Sequence, residues 1–230
     1  MKRKPQLTPR LKAVAELIPP CRVFADIGTD HAYLPVYLCV DGICEKAIAS
    51  DINEGPLERA GATVSEYGLN DKISLRLGGG LDTLEKDEAD AVSIAGMGGL
   101  MIADILNSGK DKLKNAKQIV IQPMSSVPEL RSLLFKNGFK IDAEYLSKED
   151  KKLYHIMTVS LSDAETTAPS AFDLYIGKAL VDTKPEYFDE YIKRKKTKLE
   201  AIINGMKDAK NKNSEKLEIA VSILDSLNKL

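Results

Sequence analysis

Residues 22–31 read RVFADIGTDH. A short, mostly apolar run ends in Gly28, and the polar residues after it open a new segment. An apolar run this short, with apolar residues on both parities, fits a strand covered on both faces. The pattern repeats at Lys46–Ile52 (KAIASDI), Lys72–Leu77 (KISLRL), Asp90–Ala95 (DAVSIA) and Lys117–Gln122 (KQIVIQ). Between these runs His31–Val40, Gly55–Tyr67, Gly99–Leu106 and Val127–Asn137 read as helices. Strand–helix alternation implies right-handed crossovers and a mainly parallel α/β sheet. Phe139–Leu146 and Leu153–Leu161 are separated only by polar SKEDKK, which predicts an antiparallel hairpin closing one edge.

The character of the chain changes after Ser162. DAETTAPS (163–170) reads as a polar linker, and Pro185 stands where a helix should start. Phe188, Ile192, Lys195, Leu199, Ile202 and Met206 alternate four and three apart, and Leu217, Ala220, Leu224 and Leu227 repeat the spacing. With KNKNS (210–214) as the turn, this predicts an antiparallel, coiled-coil-like helical hairpin. The expected division is therefore 1–162 and 163–230.

The 230 residues are 43% hydrophobic and 29% charged, enough for a sizeable core. A net charge of −1 excludes a polycation, so contact with nucleic acid would need local patches. Two such clusters stand out: Lys2, Arg3, Lys4, Arg10 and Lys12 at one end, and Lys193–Lys198 (KRKKTK) in the tail. Arg131 and Lys136 are further candidates for phosphate contact. No apolar run approaches the roughly 18 residues of a membrane span, and the N-terminus lacks the apolar stretch of a signal peptide. Cys21, Cys39 and Cys44 show no metal-binding spacing, and the two histidines do not suggest a metal site. A cytoplasmic protein without metal or membrane association is expected, as a monomer or weak dimer.

The chemistry is expected at the carboxyl edge of the sheet, where doubly wound folds bind ligands. In the first turn, Asp26-Ile27-Gly28-Thr29-Asp30-His31, two carboxylates would repel a pyrophosphate, and G-x-G-x-x-G is missing. A ligand with a sulfonium and an ammonium but no phosphate suits this turn, which points to S-adenosylmethionine rather than a nicotinamide dinucleotide. Asp51, with Ile52 beside it at the end of the second strand, suits a ribose diol. Gly78-Gly79-Gly80 would bring backbone close to an adenine, and Ala95-Gly96-Met97-Gly98-Gly99 would face the methyl group. His31 reads equally as a base, a loop-orienting group or a helix cap. His155 reads as structural, Met97 as core filler or the floor of a base pocket, and Gln122 as a polar ligand contact.

ADIGTDHAYLP (25–35), SIAGMGG (93–99), IQP (121–123) and the helical tail together resemble the TrmK family of bacterial tRNA (adenine(22)-N1)-methyltransferases. The resemblance spans nearly the whole chain and is strongest over residues 7–161. It implies a class I Rossmann-like methyltransferase sheet with a C-terminal helical appendage, S-adenosylmethionine as donor, and tRNA as acceptor. It also implies that the appendage helps to hold tRNA. By correspondence of motifs, the donor is expected on Asp26, Gly28, Thr29, Asp30, His31, Asp51, Ile52, Gly78, Gly79, Gly80, Ala95 and Gly96. Asp26, Gly96 and Met97 are expected at the reacting group. This chain departs from the family at Gly79, where an acid or amide is common, and at Met124, where Asn is frequent.

Adenine N1 carries a free lone pair near neutral pH, so its methylation needs alignment more than a general base. Proximity and orientation alone lower such a barrier by roughly 7–11 kcal/mol. Two other readings stay open on sequence: a methyltransferase for a small molecule or protein, and a non-catalytic RNA-binding scaffold.

Overall fold

A computed structural model describes residues 4–162, 167–208 and 214–230. Seven strands form one sheet in the order β3-β2-β1-β4-β5-β7-β6. They are β1 (Cys21–Ile27), β2 (Cys44–Asp51), β3 (Ile73–Leu77), β4 (Ala91–Gly98), β5 (Gln118–Ser125), β6 (Phe139–Glu149) and β7 (Lys152–Leu161). The first five are parallel, and β7 pairs antiparallel with both β5 and β6. The strand order reverses between β1 and β4, which opens a crevice beyond their carboxyl ends.

Both faces of the sheet are covered. On one face α1 (Pro9–Glu16), α2 (Tyr33–Val40) and α3 (Glu54–Glu66) bury Val14, Leu34, Val36, Leu38, Ala60 and Val64 against Phe24, Ala47 and Ala49. On the other, α4 (Gly99–Ser108) and α5 (Val127–Lys136) bury Ile102, Leu106, Leu130 and Leu134 against Ile27, Ile94 and Ile121. Each fully buried Leu or Ile contributes about 1.5–3 kcal/mol. Two-sided burial explains the unbroken apolar runs read from the sequence.

Several boundaries differ from the expectation, and three of them have a local cause. The first crossover helix starts at Tyr33, not His31, because Ala32 takes a left-handed conformation (φ 52°) and keeps residues 29–32 as a loop. The fourth strand continues through Gly98, carried past a register shift around Gly96 by pairing with β5. The hairpin strands run on through the polar residues to a tight turn at Asp150 (φ 53°).

The tail comprises α6 (Ala171–Ile176), α7 (Lys178–Thr183), α8 (Phe188–Asp208) and α9 (Ser214–Leu227). Ser170 opens α6 with a reciprocal capping box to Asp173. Pro185 does not begin a helix; α8 starts at Phe188. Leu199, Ile203, Ala220, Ile223 and Leu227 are buried together with Leu146 of the sheet. Ile203 rather than Ile202 lies in the seam, and Ile202 is exposed. Lys195 bends out of the seam to donate to the Tyr175 carbonyl at 3.0 Å. Residues 163–166 of the linker and 210–213 of the predicted turn lie outside the described residues, as do Lys2 and Arg3.

Candidate active site

The turns after β1, β2 and β3 and the irregular end of β4 meet at one edge and enclose two adjoining recesses that share Gly28, with Met97 in the wall of the larger. The larger, about 420 Å³, is lined by Asp51, Ile52, Gly78, Gly79, Gly80 and Met97 among others. The smaller, about 300 Å³, is lined by Asp26, Thr29, Asp30, His31, Ala95 and Gly96, with Arg10 on its wall. The structure thus brings all the expected ligand residues to one edge, split into two groups.

Gly28 is the pivot. Its amide and that of Thr29 both donate to the Ser50 carbonyl at 2.8 Å, which draws the turn tightly over β2. Its φ of +77° lies in the left-handed region, and a Cβ there would overlap the Met97 methyl. Met97 therefore packs on the turn between the recesses, half buried against the core. Its backbone is placed by Gly96, whose φ of +83° accommodates the irregularity in β4.

Asp26 is buried and accepts from Ser93 Oγ at 2.6 Å. Burial pushes its carboxyl above the ordinary aspartate range, opposed by hydrogen bonds from Ser93 and Thr29 and by the charge of Arg10. A cationic ligand group at this position would shift it back toward the carboxylate. Asp51 accepts from the Asn53 amide at 2.8 Å and its side chain at 3.2 Å, both through Oδ1. No described contact uses its other oxygen. Asp30 is exposed and paired with Arg59, which approaches it through Nε at 3.1 Å and also through Nη2. His31 lies 3.5 Å from Asp30 and stacks on Tyr33 with ring centroids 5.1 Å apart.

Three expectations change. Gln122 is completely buried and acts as a brace: its Oε1 accepts from Gly96 N at 3.1 Å and from Arg10 Nη1 at 2.5 Å. Arg10, grouped by sequence with the basic N-terminal cluster, therefore points inward. Arg131 is buried in an ion pair with Glu144 and is not available to phosphate. Sequence reasoning also missed Asp82 and Asp104, which line the larger recess. Asp82 stands three residues after Gly79 on the 3-10 turn Gly80–Thr83, at the exposed rim of the recess and 3.8 Å from Lys112 Nζ. An acid just beyond a glycine run was the available signal. Among the described residues no group of His, Cys, Asp and Glu could hold a metal ion. No described helix is long and apolar enough to cross a membrane.

Comparison with known proteins is consistent with this geometry. Residues 24–229 match the family described as tRNA (adenine(22)-N(1))-methyltransferase. A Bacillus subtilis tRNA (adenine(22)-N(1))-methyltransferase is 42% identical over 160 residues, covering 70% of this chain and 67% of the relative. The crystal structure of the B. subtilis m1A22 tRNA methyltransferase TrmK superposes with a TM-score of 0.85 at 34% identity, over 97% of this chain and 98% of that one. A Streptococcus pneumoniae protein crystallised with S-adenosyl-L-methionine superposes with a TM-score of 0.83 at 32% identity, over 97% and 99%.

Proposed function

The chain belongs to the tRNA (adenine(22)-N(1))-methyltransferase family, and from that membership we propose how its two recesses divide the work. The protein is an S-adenosylmethionine-dependent methyltransferase acting on an adenine N1 of tRNA. The larger recess takes the adenosine of the donor, with Asp51 receiving the ribose hydroxyls through its unengaged oxygen. Asp82 replaces the side chain missing at Gly79 as the acceptor for the adenine amino group. Asp26 and the Gly28 turn hold the amino-acid end, and Ala95, Gly96 and Met97 lie where the two recesses meet. The observation that carries this reading is the junction at Gly28: one recess presents a carboxylate for a diol and the other a carboxylate for a cation.

When bound, S-adenosylmethionine supplies an electrophilic methyl that the unprotonated adenine N1 takes directly, in line and without prior deprotonation. The residues around Gly28 then serve to align and to exclude water, and the negative charge of Asp26 and Asp30 at this edge offsets that of the cationic product. Adenine N1 lies on the pairing edge, so the base must enter unpaired or flipped, at a cost of roughly a few kcal/mol. Residues 1–162 serve as the catalytic domain, and 163–230 as an appendage, carrying α6–α9, that helps to hold tRNA. Lys193, Lys196 and Lys198 of α8 are its phosphate contacts. A tRNA substrate places the chain in the cytoplasm, and an apolar tail seam packed within the chain favours a monomer or weak dimer.

The test is methyl transfer from labelled S-adenosylmethionine to unmodified bulk tRNA, followed by nucleoside analysis. Appearance of 1-methyladenosine is expected. Label in another nucleoside would overturn the acceptor, and absence of donor binding would overturn the reading of the edge.

A further inference from the structure

Beside the ligand edge stands a basic projection that the donor recesses do not use. Strand register fixes its height. Ile27, Ile94, Ile121 and Met157 are successive partners across β1, β4, β5 and β7. β5 pairs with β7 over Ile119–Ile121, whereas β6 and β7 stay paired as far as Glu149 and Lys152. From Met157 to Lys152 a two-stranded ribbon therefore continues past the level of Ile27, by roughly 17 Å at the rise of an antiparallel strand. The recesses open just beyond Ile27, so the ribbon rises along their flank. Tyr154 of the ribbon lies with its ring 5.7 Å from the Arg10 guanidinium, in the wall of the smaller recess.

The ribbon tip reads Lys148-Glu149-Asp150-Lys151-Lys152. Lys148 is engaged by Glu190 at 2.8 Å, and Glu149 is half-buried. Lys151 and Lys152 are exposed, with Asp150 the exposed acid beside them. Arg194 of α8 joins the tip to the tail. Its Nη1 donates to the Lys151 carbonyl at 2.8 Å and its Nη2 to Glu190 at 2.5 Å. Around Arg194, α8 borders an open groove of about 590 Å³ with Lys193, Thr197 and Lys198 on its walls. Glu190 is the acid of that groove, and Lys148 and Arg194 already hold it. Among the described residues Lys151, Lys152, Lys193 and Lys198 form no ion pair. Cations spaced from the flank of the recess to α8 suit a polyanion rather than a single ion. We infer that the ribbon tip and the α8 groove form one track for the RNA backbone. Lys151 and Lys152 meet phosphates near the methylated nucleotide, and Lys193 and Lys198 meet phosphates further along. The tip stands too far above the strand ends to touch a base held in the recess. Its phosphate contacts therefore fix register and orientation without reading sequence. This inference rests on tRNA being the substrate.

The test is binding of unmodified tRNA to the full chain by fluorescence anisotropy across a range of salt. Wild type is compared with a Lys151→Ala, Lys152→Ala double variant. The control is a Lys46→Ala, Lys72→Ala double variant, which removes two exposed lysines at the opposite, amino edge of the sheet. Each phosphate contact contributes about 0.7–0.9 to the slope of log affinity against log salt. The tip variant should lower that slope by about 1.4–1.8 and weaken tRNA roughly tenfold near physiological salt. Its thermal midpoint and its calorimetric affinity for S-adenosylmethionine should match the wild type. A Lys151→Arg, Lys152→Arg variant should keep the slope. An unchanged slope in the tip variant, or an equal loss in the control, would overturn the track. Weakened S-adenosylmethionine binding in the tip variant would overturn it as well, by making the ribbon part of the donor site. A wild type that binds the donor but no tRNA would overturn the substrate itself, a result recognisable without any variant.

Discussion

Among the described residues, the charge buried between sheet and tail and the charge buried at the carboxyl edge of the sheet are wired differently. At the junction between sheet and tail, Arg131 Nε donates to Glu144 at 2.8 Å, while Nη1 and Nη2 donate to the carbonyls of Leu174 at 2.8 Å and Ile176 at 3.0 Å. The Tyr191 hydroxyl donates to Ile176 at 2.7 Å and Lys195 to Tyr175 at 3.0 Å. The last carbonyls of α6, which a short helix leaves without partners, are thereby satisfied. At the ligand edge, by contrast, Asp51 uses one oxygen, Arg10 uses one nitrogen, and Asp26 lacks a paired cation in direct contact. The first site consumes its hydrogen-bonding capacity and fastens two parts of the chain. At the second, Asp51 and Arg10 keep hydrogen-bonding capacity unengaged among the described contacts, at the edge proposed for the ligand.

The contrast is testable from its strongest arm downward. Arg131→Ala leaves the Glu144 carboxylate buried alone and should cost about 3–5 kcal/mol in denaturant unfolding. A combined Arg131→Met and Glu144→Leu variant should recover most of that, and both should bind S-adenosylmethionine as the wild type does if the junction only fastens. Burial lowers Lys195 from an ordinary 10.5 to about 8, helped by the nearby charge of Arg131. The folded chain therefore releases this proton before the unfolded chain does. Its contribution to stability should rise between pH 8 and 10.5, by no more than about 3 kcal/mol, and stay level below pH 8. Denaturation midpoints across that range, compared with Lys195→Met, would expose the difference.

At the ligand edge the effects on stability are smaller and the effects on binding larger. Gly28→Ala forces a left-handed alanine at about 1–2 kcal/mol and displaces Met97. Donor affinity by titration should fall by at least about tenfold, the equivalent of some 1.4 kcal/mol. Asp26→Asn carries the smallest stability effect. The folded pKa of Asp26 is raised, so its favourable contribution is present below the ordinary aspartate range and lost as pH rises through the folded value. The amide should thus hold or slightly raise the thermal midpoint at pH 7 while weakening the donor. In the wild type, donor affinity should drop as pH falls through that same folded value, and Asp26→Asn should flatten the profile.

Much of the site was legible because strand-end turns place residues by chain position alone. Asp26, Gly28, Asp51 and Gly96 each follow a readable apolar run, and parallel pairing brings the ends of those runs to one edge. The residues misread were long side chains whose direction depends on a distant partner. Arg10 looked like a surface cation until Gln122, 112 positions away, gave it an acceptor. Arg131 looked like a phosphate contact until β6 supplied Glu144. Ile202 and Ile203 are adjacent, and only the approach of α9 to α8 shows which one is covered.

Sequence alone determined the parallel sheet, its edge hairpin, the helical tail and the strand-end turns that gather at one edge. Local periodicity and glycine placement encode those features within a few residues. Tertiary structure alone decided which charges are engaged and which are free. A guanidinium reaches several ångströms from its backbone, and its partner is set by packing between elements far apart in the chain.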